Sequence, residues 1–263
     1  TWSPDRPPPG HFRLLALDVG QGSAVLVQTR THALLHDTGP AWGAAGDAGA
    51  RVVVPTLRAL GVAPDRVMVC HRDTDHAGGR AAVQAAWPLA QWSSSDPALA
   101  PRRCQRGQAW QWDGVRFEVL SPLAEDYGDD GRGRWPANAM SCVLRVQAAD
   151  GTAAVLTGDV DAPRETRMAL SEPQLRVDLL MVPHHGSRSS STPAFVEAVG
   201  ARHAIYSVGY RNRFGHPHPG ILARYETART WRTDRDGAIE IRLGRRLSVD
   251  AWRQQRPRYW HGR

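Results

Sequence analysis

Five short apolar runs, each closing on an Asp or a His, constrain this chain more than any other feature. Phe12-Arg13-Leu14-Leu15-Ala16-Leu17 runs into Asp18, and Ala33-Leu34-Leu35-His36 runs into Asp37-Thr38-Gly39. Val67-Met68-Val69-Cys70 ends at His71, Ala153-Ala154-Val155-Leu156-Thr157-Gly158 at Asp159, and Leu179-Leu180-Met181-Val182-Pro183 at His184. Short apolar runs of this kind read as strands buried on both faces, and such strands do not otherwise favour an ionisable residue. Helical patterning lies between them, over residues 50–60, 79–87, 162–170, 193–199 and 219–229, with Gly61 as C-cap of the first. Paired strands near 12–18, 23–29 and 33–37 come first and alternating strands and helices follow. That order predicts an α/β (α+β) domain of packed sheets with helices outside.

Composition narrows the class. Of 263 residues, 41% are hydrophobic and 22% charged, which fits a folded chain rather than a disordered one. No apolar run approaches the roughly 20 residues of a membrane span. Residues 1–11 are polar and proline-rich and read as a linker or terminal extension, residues 12–250 as the folded domain, and residues 251–263 as a basic C-terminal tail. With Thr1 rather than Met at its start and no signal peptide, the chain reads as a piece of a longer protein. All 33 basic residues are Arg. Residues 201–263 carry 14 Arg against 5 acidic residues, whereas residues 1–200 carry 19 against 21. A C-terminal basic excess suits a polyanion such as nucleic acid, and equally a solvated face. Three cysteines permit one disulfide at most, and Cys70 and Cys142, beside apolar runs, read as buried core residues. Residues 126–139, rich in Gly and charge, read as a long surface loop.

The strongest chemical signal is His71-Arg72-Asp73-Thr74-Asp75-His76-Ala77-Gly78-Gly79, four metal-ligand residues within six positions, directly after a buried strand. Glycines follow where the chain must turn. In an extended loop His71, Asp73 and Asp75 alternate onto one side and His76 turns to a neighbouring position, enough for two adjacent cations. Asp159 has two oxygens with which to bridge them, although an Asp after a strand also serves as a helix N-cap. In Pro183-His184-His185-Gly186-Ser187 one imidazole is expected to bind metal and the other to contact substrate. Asp37 is expected either to support a ligand imidazole or to form a turn. No motif calls for a small organic cofactor.

These segments, in this order, resemble the metallo-β-lactamase family of hydrolases. The set Leu17-Asp18-Val19-Gly20-Gln21-Gly22, His71 to Gly79, Asn138 with Ser141 to Leu144, Leu156 to Asp159, Val182 to Ser187 and Ser207 to Pro217 is similar to the metallo-β-lactamase domain of ComEC-type DNA-uptake competence proteins. The likeness covers about residues 12–245. Ser23 stands where that family often has Asp. The resemblance implies an αββα sandwich and a metal-dependent nuclease acting on DNA, degrading one strand during uptake in natural transformation. It also implies a periplasmic or extracytoplasmic place on an inner-membrane protein, with the membrane channel of the same full-length protein and single-stranded DNA as partners. Carried onto this chain, His71, Asp73 and His184 hold one ion, Asp75 and His76 the other, and Asp159 bridges, while Asp75, Asp159 and His185 are the catalytic set. Asn138, Ser141, Ser187, Asn212 and His216 are the expected substrate contacts, and Asp37 supports the ligands. Three carboxylates and three imidazoles make a hard site, favouring two Mn²⁺ ions, with Zn²⁺ or Mg²⁺ as alternatives. Trp87, Trp92, Trp110, Trp112 and Trp135 are available to stack on bases. The alternatives are a small-molecule phosphodiesterase of the phosphorylcholine-esterase kind and a catalytically inactive DNA-binding module.

Overall fold

Strands that are apolar on both faces need a cover on each side, and the fold provides it in four layers. The computed structural model describes residues 6–244 and 247–257. One sheet contains β1 (Phe12–Ala16), β2 (Val25–Gln28), β3 (Ala33–His36), β4 (Arg66–Val69), β5 (Gln91–Ser94) and β6 (Arg102–Arg103). The second contains β7 (Ala109–Trp112), β8 (Val115–Ser121), β9 (Val143–Gln147), β10 (Ala153–Leu156), β11 (Leu179–Met181), β12 (His203–Tyr206) and β13 (Arg229–Arg232). The chain then returns to the first sheet with β14 (Ile239–Leu243) and β15 (Ser248–Ala251). The orders are β15-β14-β1-β2-β3-β4-β5-β6 and β13-β12-β11-β10-β9-β8-β7. In each sheet an antiparallel half, β14 to β3 or β7 to β10, passes into a parallel half, β3 to β6 or β10 to β13.

Leu14, Met68 and Cys70 meet Phe117, Leu144, Leu156 and Met181 in the core between the sheets. Leu35, Val67 and Val69 face the other way, onto Val53, Leu57 and Val83 of the helical segments Gly49–Val53, Val54–Ala59 and Arg80–Ala86. Val155, Leu180 and Tyr206 pack outward on Met168, Phe195 and Ile221 of the helices Ala162–Ser171, Pro193–Val199 and Pro219–Arg224. This is the expected αββα sandwich. Asp161, not Asp159, caps the helix Ala162–Ser171, its side chain accepting from the Arg164 amide. Asp159 is thereby free for other work.

Several expectations need correction. The helix expected to reach residue 229 stops at Arg224, because Arg229-Thr230-Trp231-Arg232 alternates as a strand and sends Trp231 into the inter-sheet core. The segment 126–139 is the expected long loop, exposed through its middle, and it is anchored at its start, where buried Asp126 accepts from the Leu123 amide and the Trp135 indole and pairs with Arg164. Residues 251–255 are ordered as the end of β15 and the helix Trp252–Gln255, with Arg253 bound to Asp18 at 2.7 Å. Residues 1–5 and 258–263 lie outside the described residues. Of the tryptophans expected to stack on bases, Trp92 is buried and Trp110 and Trp112 pack on the core, whereas Trp135 is exposed.

Cys142 is buried, as expected, but it is not a free thiol: it forms a disulfide with Cys104. The bridge ties the segment after β6 to the start of β9 and so joins the two sheets. It closes a loop across a sequence separation of 38 residues. The double substitution Cys104→Ala/Cys142→Ala is expected to lower the unfolding free energy by about 2–4 kcal/mol, read by urea titration against the oxidised protein.

Candidate metal centre

β4 ends at Val69, and the next residues form the loop that carries the candidate ligands His71, Asp73, Asp75 and His76. Asp73 is extended and precedes the short helix Thr74–Ala77, which carries His76 inward to full burial. Two glycines allow this loop to sit so close to its neighbours. A Cβ on Gly22 would lie 2.3 Å from the Asp75 carbonyl oxygen, and one on Gly79 would lie 2.3 Å from the Thr38 carbonyl oxygen. The Ser23 amide donates to the Asp75 carbonyl at 3.0 Å, so the DVGQG segment braces the ligand loop with its backbone. Its Asp18 lies elsewhere, paired with Arg253.

The second sheet supplies the opposing wall. Asp159 follows β10, and its amide donates to the Ser141 hydroxyl at 3.1 Å. His184 and His185 follow β11 in left-handed conformations, with φ of 50° and 57°. Non-glycine residues hold that geometry at a cost of order 1 kcal/mol each, and such strain gathers at functional sites. Asp37, at φ 63°, is a third case.

Four imidazoles are each held at Nδ1, with Nε2 near a carboxylate. His76 Nδ1 donates to Asp37 Oδ2 at 2.8 Å, and His185 Nδ1 to the Ser207 carbonyl at 2.7 Å. His71 Nδ1 lies 2.9 Å from Cys70 Sγ, and His184 Nδ1 lies 3.0 Å from Ser189 Oγ. On the other side of the rings, His76 Nε2 is 3.1 Å and His185 Nε2 3.5 Å from Asp159 Oδ1. His184 Nε2 is 3.6 Å from Asp159 Oδ2. His185 Nε2 lies 3.3 Å from Asp75, and His71 Nε2 lies 3.5 Å from Asp73. Asp75, His76, Asp159 and His185 place one ligand atom each within 4.8 Å of one another. Anchoring one ring nitrogen fixes tautomer and orientation and leaves the other for a metal.

Buried His71 Nε2 and Asp159 Oδ1 have no hydrogen-bond partner. Burial raises the Asp159 carboxyl, but the neighbouring His76 and His185 more than offset this and hold it well below the usual carboxylate range. A buried mixed set of imidazoles and carboxylates with unsatisfied atoms is a set that divalent cations fit.

The other expected site residues separate into two groups. His216 lies beside the centre, its ring 6.0 Å from His184, and burial with the nearby His185 and His184 lowers its pKa to about 4. Half-buried Asn138 sits between Ala137 and Met140, which line a small cavity with His71, Arg72 and Trp135. Ser187 bonds Ser189 and so steadies His184. Two residues expected at the substrate prove internal. Ser141 is fully buried with its hydroxyl turned to the Asp159 amide. Asn212 spends its side chain on the Gly209 and His216 carbonyls and the His216 amide, closing its own loop. Asp37 is fully buried and its oxygens accept from the Cys70 amide and His76, so it holds the His76 imidazole while standing in a turn. Sequence reading missed Cys70 at His71, the Ser207 carbonyl at His185, and Glu165, which accepts the Ser191 and Thr192 amides at 2.5 and 2.6 Å. A backbone carbonyl leaves no signal in sequence, and Glu165 lies in an ordinary helical stretch.

The sequence model of the metallo-β-lactamase superfamily matches residues 17–210. The chain belongs to the metallo-β-lactamase superfamily. Competence protein ComA of Neisseria gonorrhoeae is 37% identical over 251 residues, 93% of this chain and 34% of ComA. YcaI of Escherichia coli K12 is 36% identical over 84% of this chain and 28% of its own length. Recombination protein 2 of Haemophilus influenzae is 32% identical over 79% of this chain and 26% of its own length. This metallo-β-lactamase domain therefore spans between about a quarter and a third of these relatives, and ComA and Recombination protein 2 are ComEC-family names. The metallo hydrolase Igni18 of Ignicoccus hospitalis shares the fold, with a TM-score of 0.56 at 11% identity over 89% of this chain and all of Igni18. The superfamily fold implies divalent metal ions, and the donor set described above is the candidate place for them.

Two substitutions test the support of this site. Asp37→Asn replaces an acceptor oxygen with a donor and should cost about 1–3 kcal/mol of stability. It should also weaken metal retention about 10–100-fold, read by metal analysis after dialysis. Burial pushes the Glu165 carboxyl up to about 7 from 4.5, despite its two amide donors. Its contribution to stability is thus complete below pH 4.5 and lost as pH rises through 7. Wild type should lose stability relative to Glu165→Gln over that interval, by no more than about 1.4 kcal/mol per pH unit in denaturant titrations.

Proposed function

We propose that this domain is a two-metal phosphodiesterase that cleaves DNA, acting on a single strand during uptake. The observation that carries the reading is the convergence of four Nδ1-anchored imidazoles on Asp73, Asp75 and Asp159. His71, Asp73, His184 and Asp159 would hold one ion, and Asp75, His76, His185 and Asp159 the other. His185 thus takes a ligand role in place of the catalytic contact expected from sequence. When bound, the two cations neutralise phosphoryl charge and supply an activated water for in-line attack. Asp159 and Asp75 would orient that water, and Asp37, accepting from His76 Nδ1, keeps His76 in the tautomer that leaves Nε2 for a metal. His216, neutral beside His184, offers a hydrogen bond to a phosphate oxygen. With His185 the set has four imidazoles to three carboxylates, softer than the sequence reading, so Zn²⁺ competes more closely with Mn²⁺.

The surroundings support a strand as substrate. Trp135, Tyr210 and Phe214 are exposed in loops beside the centre, and the guanidiniums of Arg164, Arg211 and Arg213 lie over their rings at 5.1, 5.2 and 4.9 Å. Aromatic faces with cations beside them suit stacked bases and phosphates. Arginines already over these rings disfavour a choline-type cation, and every ligand is present, which disfavours an inactive module. The names of ComA and its relatives support a place in competence. The disulfide supports an oxidising, extracytoplasmic compartment, since disulfides persist there. Among the described residues no helix is long and apolar enough to cross a membrane, so the channel partner would lie in the rest of a longer protein.

The test is hydrolysis of labelled single- and double-stranded DNA by protein stripped of metal and resupplied with Mn²⁺, Zn²⁺ or Mg²⁺. Activity is expected with Mn²⁺, faster on the single strand, and at least 100-fold lower in Asp159→Asn. Stoichiometric metal binding without cleavage of either substrate would overturn the nuclease reading.

A further inference from the structure

Apart from the metal centre, a second concentration of chemistry lies where β4, β5 and β6 end one sheet and β7 ends the other. A cavity of about 280 Å³ there is lined by Arg66, Arg102, Arg103, Gln91, Gln108 and Trp110, among others. Strand register gathers these groups: Arg66 lies opposite Gln91, Met68 opposite Ser93, and Ser93 opposite Arg102. The Arg66 guanidinium sits over the Trp110 ring at 4.3 Å and 5.3 Å from that of Trp112, held in place by cation–π contact. Arg102 donates to the Gln91 side-chain oxygen at 3.5 Å. Asp65, next to Arg66 in sequence, accepts the Ala33 amide at 2.8 Å.

Among the described residues, Arg66, Arg102 and Arg103 have no carboxylate within ion-pair distance, whereas Arg13, Arg106, Arg164 and Arg232 each have one. Burial first, and then the neighbouring charge of Arg102, lower the proton affinity of Arg66, with Asp65 offsetting part of this, so a share of the cost comes from gathering like charges. An anion removes that cost, and guanidinium forks match the oxygens of a phosphate. We propose that this edge cavity is a second anion site, separate from the metal centre, that binds the phosphate group of a phosphate ester. The volume suits one nucleotide unit, near the lower bound of about 300 Å³ for ligand pockets. Arg103 also lies over the Tyr127 ring and beside Gly131, in the loop that continues to Gly133 and Trp135 at the His71 cavity. The phosphate can therefore belong to a free nucleotide or to a strand leaving the metal centre. Only the strand source rests on the nuclease reading.

The test is calorimetric titration of the metal-free protein with inorganic phosphate, thymidine 5′-monophosphate and a ten-residue oligothymidylate at low salt. Arg66→Gln/Arg102→Gln is expected to weaken binding of the phosphate esters at least tenfold. Arg102→Glu, at an exposed position that leaves the thermal midpoint in place, should do the same. Both variants should keep wild-type metal-dependent turnover of bis(p-nitrophenyl) phosphate, which separates this site from the catalytic one. Equal affinity for the mononucleotide and the oligomer supports a free nucleotide, and tighter binding of the oligomer supports a strand. Affinities unchanged in both variants, or no binding of any probe by wild type, would overturn the proposal.

Discussion

The Asp159 carboxylate is the contact on which the rest of this site depends. It leaves the second sheet after β10, and one oxygen faces His76 from the first sheet while the other faces His184 from its own. Buried and ionised, it costs free energy unless cations or imidazoles surround it. The two sheets must therefore meet at this edge in one register. The Cys104–Cys142 disulfide and the backbone bond from the Cys142 amide to the Cys70 carbonyl lock them close by, one residue from Ser141 and its hold on Asp159.

The same dependence explains why strain is concentrated here. Asp37, His184 and His185 hold left-handed backbone that glycine would adopt without cost, yet chemistry requires their side chains. Each is fixed by neighbours. Asp37 binds the Cys70 amide, His184 the Ser189 hydroxyl and His185 the Ser207 carbonyl, whose own side chain donates to the Gly22 carbonyl. Glu165 secures the Ser191–Thr192 turn that follows. The four-layer core carries the free energy that these local costs consume.

Much of this was legible in the sequence because the candidate site and the sheets share one signal, an apolar run closed by a histidine or a carboxylate. His71, Asp159 and His184 lie at such ends, and paired strands before alternating ones point to packed sheets with helices outside, which the family resemblance specifies as αββα. What stayed hidden depends on contacts between distant segments. The different anchoring of His184 and His185 turns on backbone dihedrals, the Ser189 hydroxyl and the Ser207 carbonyl. Ser141 and Asn212 looked like substrate contacts because polarity alone does not tell an inward hydroxyl or a loop-closing amide from an open one. Strands β5 and β7, Gln91–Ser94 and Ala109–Trp112, near the ends of the two sheets, mix polar and aromatic residues and carry no continuous apolar pattern.

Charge shows most clearly how position along the chain differs from position in space. Residues 201–263 hold the basic excess, yet Arg232, Arg235, Arg242 and Arg253 are paired with Asp234, Asp236, Glu240 and Asp18. Ion pairs of this kind cancel the field that a polyanion would feel. The arginines left without a carboxylate include Arg66, Arg102 and Arg103, from the part of the chain whose formal charge is slightly negative, and Arg211 and Arg213 beside the metal centre. Positive potential is thereby set by which guanidiniums the fold leaves unpaired. Among the unpaired ones, Arg66, Arg102 and Arg103 lie along one edge of the sandwich, and Arg211 and Arg213 lie in the loop that leads to His216.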